Sequence, residues 1–156
     1  MSSLWLGIVG LLGAAVCQLL LVRYISAVGR SVDLFTVLVI FYAVTRRRIR
    51  VMVMGTAAGL AEDLLAHTFL GMNAFKKTLV GYLMGMLGSF FVLSQPLPRF
   101  GILILATLLE ALIEAGLVLV LGQNLVVPGA TDLLRLCLGN GIAGILGYYA
   151  VSKLMD

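Results

Sequence analysis

Charge is scarce in this chain: 12% of its 156 residues are Asp, Glu, Lys or Arg and 62% are hydrophobic, against roughly 25% charged in a soluble domain. With a mean hydropathy of +1.13, that shortage excludes a soluble globular protein. Cysteine is nearly missing. Cys17 and Cys137 both lie inside apolar stretches, where the expected role is that of a small hydrophobic side chain rather than a disulfide or a metal ligand. His67 is the single histidine, so the His and Cys sets that hold transition metals are lacking, and no metal or other cofactor is expected. No nucleophile, phosphate-binding loop or separate substrate domain is evident, which leaves no basis for an enzyme. Internal repeats and low-complexity tracts are absent too. The chain starts Met1-Ser2-Ser3 without a basic segment, so a cleaved signal peptide is not expected. Val16, before Cys17, is too large for a lipoprotein cleavage site.

What the sequence does contain is long apolar runs. A bilayer core of about 30 Å takes about 20 apolar residues per helix, so the length accommodates about six spans and little else. Runs bounded by charge, Gly and Pro predict helices near 4–22, 32–45, 51–70, 78–94, 101–121 and 133–151, joined by short connections. The expected fold is an all-α polytopic membrane protein, a single transmembrane domain over residues 1–156 with about six helices in a compact bundle. The second run is short: Leu34 to Thr45 make only about 18 Å of helix. That span is therefore expected to extend back through Asp33 and Arg30, which at a spacing of three would face each other. Orientation follows from "RRRIR" (Arg46, Arg47, Arg48, Arg50), which makes the second connection cytoplasmic and, with it, both termini. On that basis Arg99 and Lys153 lie inside, and Arg23, Arg30, Lys76, Lys77 and Arg135 lie outside. The net charge of +4 is thus a topology signal, and no nucleic acid is expected as a partner.

Small residues recur every fourth position: Gly55 and Gly59 in the third span, Gly81, Gly85 and Ser89 in the fourth, Gly139, Ala143 and Gly147 in the sixth. Such stripes let backbones approach closely, within the bundle or toward a partner helix. Continuing the first stripe by fours lands on Asp63 and then His67, which places polar groups on the close-packed side. Glu62 stands beside Asp63, and the fifth span carries Glu110 and Glu114 one turn apart. A central acid costs about 2.5–3.5 kcal/mol on insertion scales, while each Leu, Ile, Val or Phe returns about 0.3–0.6. The third span has seven such residues, so roughly 3 kcal/mol of gain opposes about 5–7 of cost. The thirteen Leu, Ile and Val residues of the fifth span about break even. Glu62, Asp63, His67, Glu110 and Glu114 are therefore expected to form an intramembrane polar core, the acids protonated, hydrated or paired with groups such as His67, Gln18 or Asn140.

Three stretches, "VDLFTVLVIFYAV" (Val32 to Val44), "GTAAGLAEDLLAHTFLGMNAF" (Gly55 to Phe75) and "TLVGYLMG" (Thr78 to Gly85), resemble the rod shape-determining protein MreD family of bacteria. The matching positions are Asp33, Gly59, Asp63, Gly71 and Asn73, and Val32 departs from the family's proline. The resemblance implies a non-enzymatic scaffold of the elongation machinery in the bacterial inner membrane. Such a scaffold binds MreC and supports cell shape and peptidoglycan synthesis with MreB, RodA and a class B penicillin-binding protein. It also implies a fold like the S components of energy-coupling-factor transporters. That keeps open a substrate-binding or small-molecule transport role for the intramembrane carboxylates, and conduction of protons or cations through them as a third possibility.

Overall fold

In lipid an apolar segment must satisfy its own backbone, and helices do so within one segment. The computed structural model describes residues 2–25, 29, 31–45, 48–66, 69–87, 96–122 and 129–155. Among them it has six α-helices and no strand: α1 (Ser2–Tyr24), α2 (Leu34–Thr45), α3 (Arg48–Ala66), α4 (Met72–Leu87), α5 (Pro96–Leu121) and α6 (Ala130–Met155). Several expected boundaries move, α5 starting at Pro96 rather than near 101, and two of the shifts bear on the site. Asp33 is not helical, so α2 does not extend back through it, and Arg30 lies outside the described residues. α4 begins at Met72 rather than near residue 78, which brings Lys76 and Lys77 into the helix.

Among the described residues, α1 over Gly7–Tyr24 and α5 over Leu97–Val120 are long and apolar enough to cross a membrane, and α2 is a shorter apolar helix. The interior is unusually polar for a folded chain, with Thr36, Asp63, Asn73, Lys76, Lys77, Thr107 and Asn140 all buried. Ile8, Leu12, Val16 and Leu19 of α1 and Leu112, Leu119 and Val120 of α5 face outward. Apolar surface on this scale is what lipid covers.

The shortest helix is the central one. α2 touches all five others, and its Phe35, Val39, Ile40 and Ala43 join Val51 and Ala58 of α3, Val80 and Met84 of α4 and Ile102, Leu103 and Ala106 of α5 in one apolar core. α1 lies outside, against α2 and α3. α3 and α4 form an antiparallel hairpin in which a Cβ on Gly55 would stand 2.7 Å from the Lys77 carbonyl oxygen and one on Gly59 would overlap the backbone of Ala74. Gly81 packs on Val39 and Val51, each 3.0 Å from its would-be Cβ. The stripe expected on α6 is not one packing face. Gly139 meets the Ser31 carbonyl, whereas Gly147 has nothing within 4 Å. The inward face of α6 runs through Asn140, Gly141 and Gly144, the last two against Phe100 and Leu103 of α5. Gly85 is half-buried, and Ser89 is outside the described residues.

At one end of the bundle Gly7 meets Tyr42 near Arg50, and Val44, Arg99 and Tyr148 line a common groove. The start of α1, the end of α2, the start of α3, the start of α5 and the end of α6 therefore share this arginine end. The start of α2, the α3–α4 turn and the facing halves of α5 and α6 meet toward the other.

Candidate functional site: a buried ionic centre

The site is built where α2 starts inside the bundle. A helix leaves its first N–H groups without intrahelical partners, and at membrane depth water cannot serve them. Side chains from three elements do so instead. Asn140 Oδ1 accepts from Asp33 N at 2.7 Å, Gln18 Oε1 from Leu34 N at 3.0 Å, and Asp33 Oδ1 from Phe35 N and Thr36 N at 2.9 and 3.1 Å. Gln18 Nε2 donates to the Gly29 and Val32 carbonyls at 3.2 and 3.0 Å, and Asn140 Nδ2 donates to Thr107 Oγ1 at 3.0 Å. Asp33 is thus the N-cap of α2.

The second oxygen of Asp33 binds Lys77, whose residue is 1% exposed. An ammonium has three protons to give. Lys77 Nζ directs them at Asp33 Oδ2, at Thr36 Oγ1 (2.6 Å) and at Glu110 Oε1 (3.5 Å). Glu62 Oε2 lies 2.9 Å from the same nitrogen as a further ion pair. Thr36 Oγ1 stands 2.6 Å from Asp33 Oδ2 and 2.8 and 2.7 Å from the two Glu110 oxygens. One lysine from α4 therefore ties α2, α3 and α5 together. A second pair, Lys76 to Glu114 at 2.7 Å, joins α4 to α5 again. Beside these groups is a cleft of about 230 Å3 lined by Gln18, Asp33, Glu62, Lys76, Thr107, Glu110, Glu114 and Asn140.

Asp63 stands apart from this centre. Its Oδ2 accepts from Gly71 N at 2.7 Å and its Oδ1 from Asn73 N at 3.1 Å, so it caps α4 across the α3–α4 turn. Gly71 has φ +99°, a conformation glycine adopts without penalty. Gly59, Asp63, Gly71 and Asn73 thus serve one purpose, a hairpin whose backbones touch and whose turn is capped. Replacing Asp63 by Ala is expected to cost about 0.5–2 kcal/mol, the range for losing a cap, with Asp63→Asn retaining part of it. Thermal unfolding midpoints in mild detergent check this, and an unchanged Asp63→Ala midpoint would remove the cap from the account.

The expected polar core is therefore divided. Glu62, Glu110 and Glu114 come together at the cleft, Asp63 belongs to the hairpin, and His67 lies outside the described residues. Gln18 and Asn140 serve backbone groups at the start of α2 rather than the acids. The counter-charges are Lys76 and Lys77, which the topology count assigned to an outer loop. That assignment is corrected: both are buried on α4, with the acids as their partners. A signal for Lys77 was present. Stepping back by fours from Gly85 and Gly81 reaches Lys77 and Asn73, as stepping forward from Gly55 and Gly59 reaches Asp63.

Among the described residues, fold and site define an all-helical bundle with two helices long and apolar enough to cross a membrane and interior charges that join its helices. Among the described residues no group of three or more His, Cys, Asp or Glu is placed to hold a metal ion. The family model for rod shape-determining protein MreD matches residues 3–155. The chain belongs to this family of shape-determining membrane proteins. Comparison with curated proteins and with solved structures returned no match, so the likeness to S components rests on the sequence resemblance alone.

Proposed function

We propose that the chain is a non-enzymatic scaffold of the elongation machinery in the bacterial inner membrane. It binds MreC and supports peptidoglycan synthesis together with MreB, RodA and a class B penicillin-binding protein. The observation that carries this reading is the family match across residues 3–155. The engagement of the buried lysines with the interior acids supports it, since these groups are used in holding helices together. Both termini are proposed to be cytoplasmic: the basic residues Arg50 and Arg99 lie toward the end of the bundle that holds the start of α1 and the end of α6, and basic residues favour the cytoplasmic side. The test is a mild-detergent pull-down of the tagged protein from its native membranes, with co-purifying proteins identified by mass spectrometry. MreC and elongation proteins are the expected result. An energising transmembrane subunit with paired ATPases would overturn it.

The cleft of about 230 Å3 with its carboxylates favours a second reading, a small-molecule-binding S component. On that reading a vitamin would raise the unfolding midpoint of the purified protein. A vitamin screen without any shift would count against it.

A further inference from the structure

A second groove lies at the arginine end of the bundle, away from the ionic cleft. It encloses about 210 Å3 between α2, α5 and α6, with Val37, Ile40 and Val44 along one wall, Leu103 on another, and Arg99 and Tyr148 among its lining residues. Val37 and Val44 are seven residues apart, about 10 Å of helix, or roughly a third of the 30 Å hydrocarbon thickness. The groove therefore has the depth of part of one leaflet and the lining of a hydrocarbon slot.

Arg99 is the unusual member. Its guanidinium carbon sits 3.1 Å from the centre of the Tyr148 ring. Stacking of that kind holds the plane of the guanidinium while leaving its N–H edges available. The interior lysines have carboxylates, and Arg135 has Asp132 at 3.6 Å. Among the described residues no carboxylate is paired with Arg99. A cation at the edge of an apolar slot, with no counter-ion among the described residues, suits an anion that brings its own hydrocarbon. Arg50 lies toward the same end of the bundle, and basic residues beside membrane helices attract anionic headgroups.

We propose that this groove is a binding site for an anionic phospholipid, one acyl chain lying along Val37, Ile40 and Val44 and the phosphate resting on Arg99. The site goes beyond the scaffold role and does not depend on it. Phosphate suits the guanidinium because two parallel N–H···O bonds can form. A zwitterionic lipid offers the same chain without the net charge, so the site predicts a headgroup preference.

The experiment is native mass spectrometry of the full chain in mild detergent, titrated with dioleoyl phosphatidylglycerol or dioleoyl phosphatidylcholine. The wild type is expected to hold one phosphatidylglycerol about tenfold more tightly than phosphatidylcholine, equivalent to about 1.4 kcal/mol. Arg99→Gln is expected to abolish that preference, and Val44→Trp, which fills the slot, to weaken both lipids. Arg135→Gln, at the other end of the bundle, should change neither. Equal affinity of the wild type for the two lipids would overturn the proposal, as would a preference that survives Arg99→Gln. If inorganic phosphate alone displaces phosphatidylglycerol and Val44→Trp has no effect, the site is an anion site and not a lipid site. A partner helix that excludes lipid from the groove overturns it as well.

Discussion

Lys77→Met is expected to be the most damaging single change in the interior, with a loss of about 3–5 kcal/mol, the range for removing one partner of a buried ion pair. The reason is the number of groups that depend on one nitrogen. Asp33, Glu62 and Glu110 all approach Lys77 Nζ, and without it three carboxylates, from the N-cap of α2, from α3 and from α5, face one another in a largely buried site where like charges repel more strongly than in water. Thermal unfolding in mild detergent and abundance in membranes measure the loss. Adding Glu110→Gln to Lys77→Met should recover part of it, because one of the opposed acids is then neutral, and that recovery separates an electrostatic cause from lost packing. Lys76→Met should cost less, since Lys76 has one partner, Glu114, whose side chain is 25% exposed. A Lys77→Met protein with the wild-type midpoint would sink the account of the centre.

The second large effect is expected at Gly59. A Cβ there would overlap the backbone of Ala74, and backbone, unlike the end of a side chain, cannot rotate away. Gly59→Leu must separate α3 from α4, which breaks the contact at Gly55, moves Lys77 relative to Asp33 and pulls the Asp63 cap off α4. Overpacking costs about 1–3 kcal/mol at ordinary core sites, and with those linked losses the folded protein is expected to fall below detection in membranes. Gly147→Leu is the control. With nothing within 4 Å of its would-be Cβ, it should accumulate normally. Equal abundance of the two variants would show that the α3–α4 crossing tolerates a side chain, against the close approach in the structure. Gly59→Ala gives a milder measure of the same crossing through the unfolding midpoint.

Both predictions concern residues whose roles differ in how far sequence reveals them. Gly55, Gly59 and Asp63 fall on one face by counting in fours, because helix periodicity and the need for close backbones in lipid are local rules. That they meet Lys77, Ala74 and Gly71 follows from the hairpin, and the short turn makes that pairing close to a local matter. Glu62 and Asp63 are neighbours in sequence yet differ by about 100° around α3, which sends one to the ionic centre and the other to the turn. Helical geometry gives the divergence but not the destinations. Gln18 and Asn140 were legible only as polar residues in apolar helices. Their tasks at the start of α2 depend on α1 and α6 lying beside a helix end more than a hundred residues from Asn140.

The sequence by itself determined that this is a helical membrane protein and where its apolar runs lie, because hydrophobic length and backbone self-sufficiency are properties of single segments. It also determined the family, whose model matches residues 3–155 of the sequence. Only the tertiary structure decided which charges neutralise which. Lys76 and Lys77 look like loop residues until the cap at Asp63 starts α4 before them. Their acids then come from the N-cap of α2, from α3 and from α5, elements whose relative placement no local pattern specifies. The same is true of α2, too short to span alone. It becomes the centre of the bundle because its neighbours supply, through Gln18, Asn140 and Asp33, the hydrogen bonds that another turn of helix would have made.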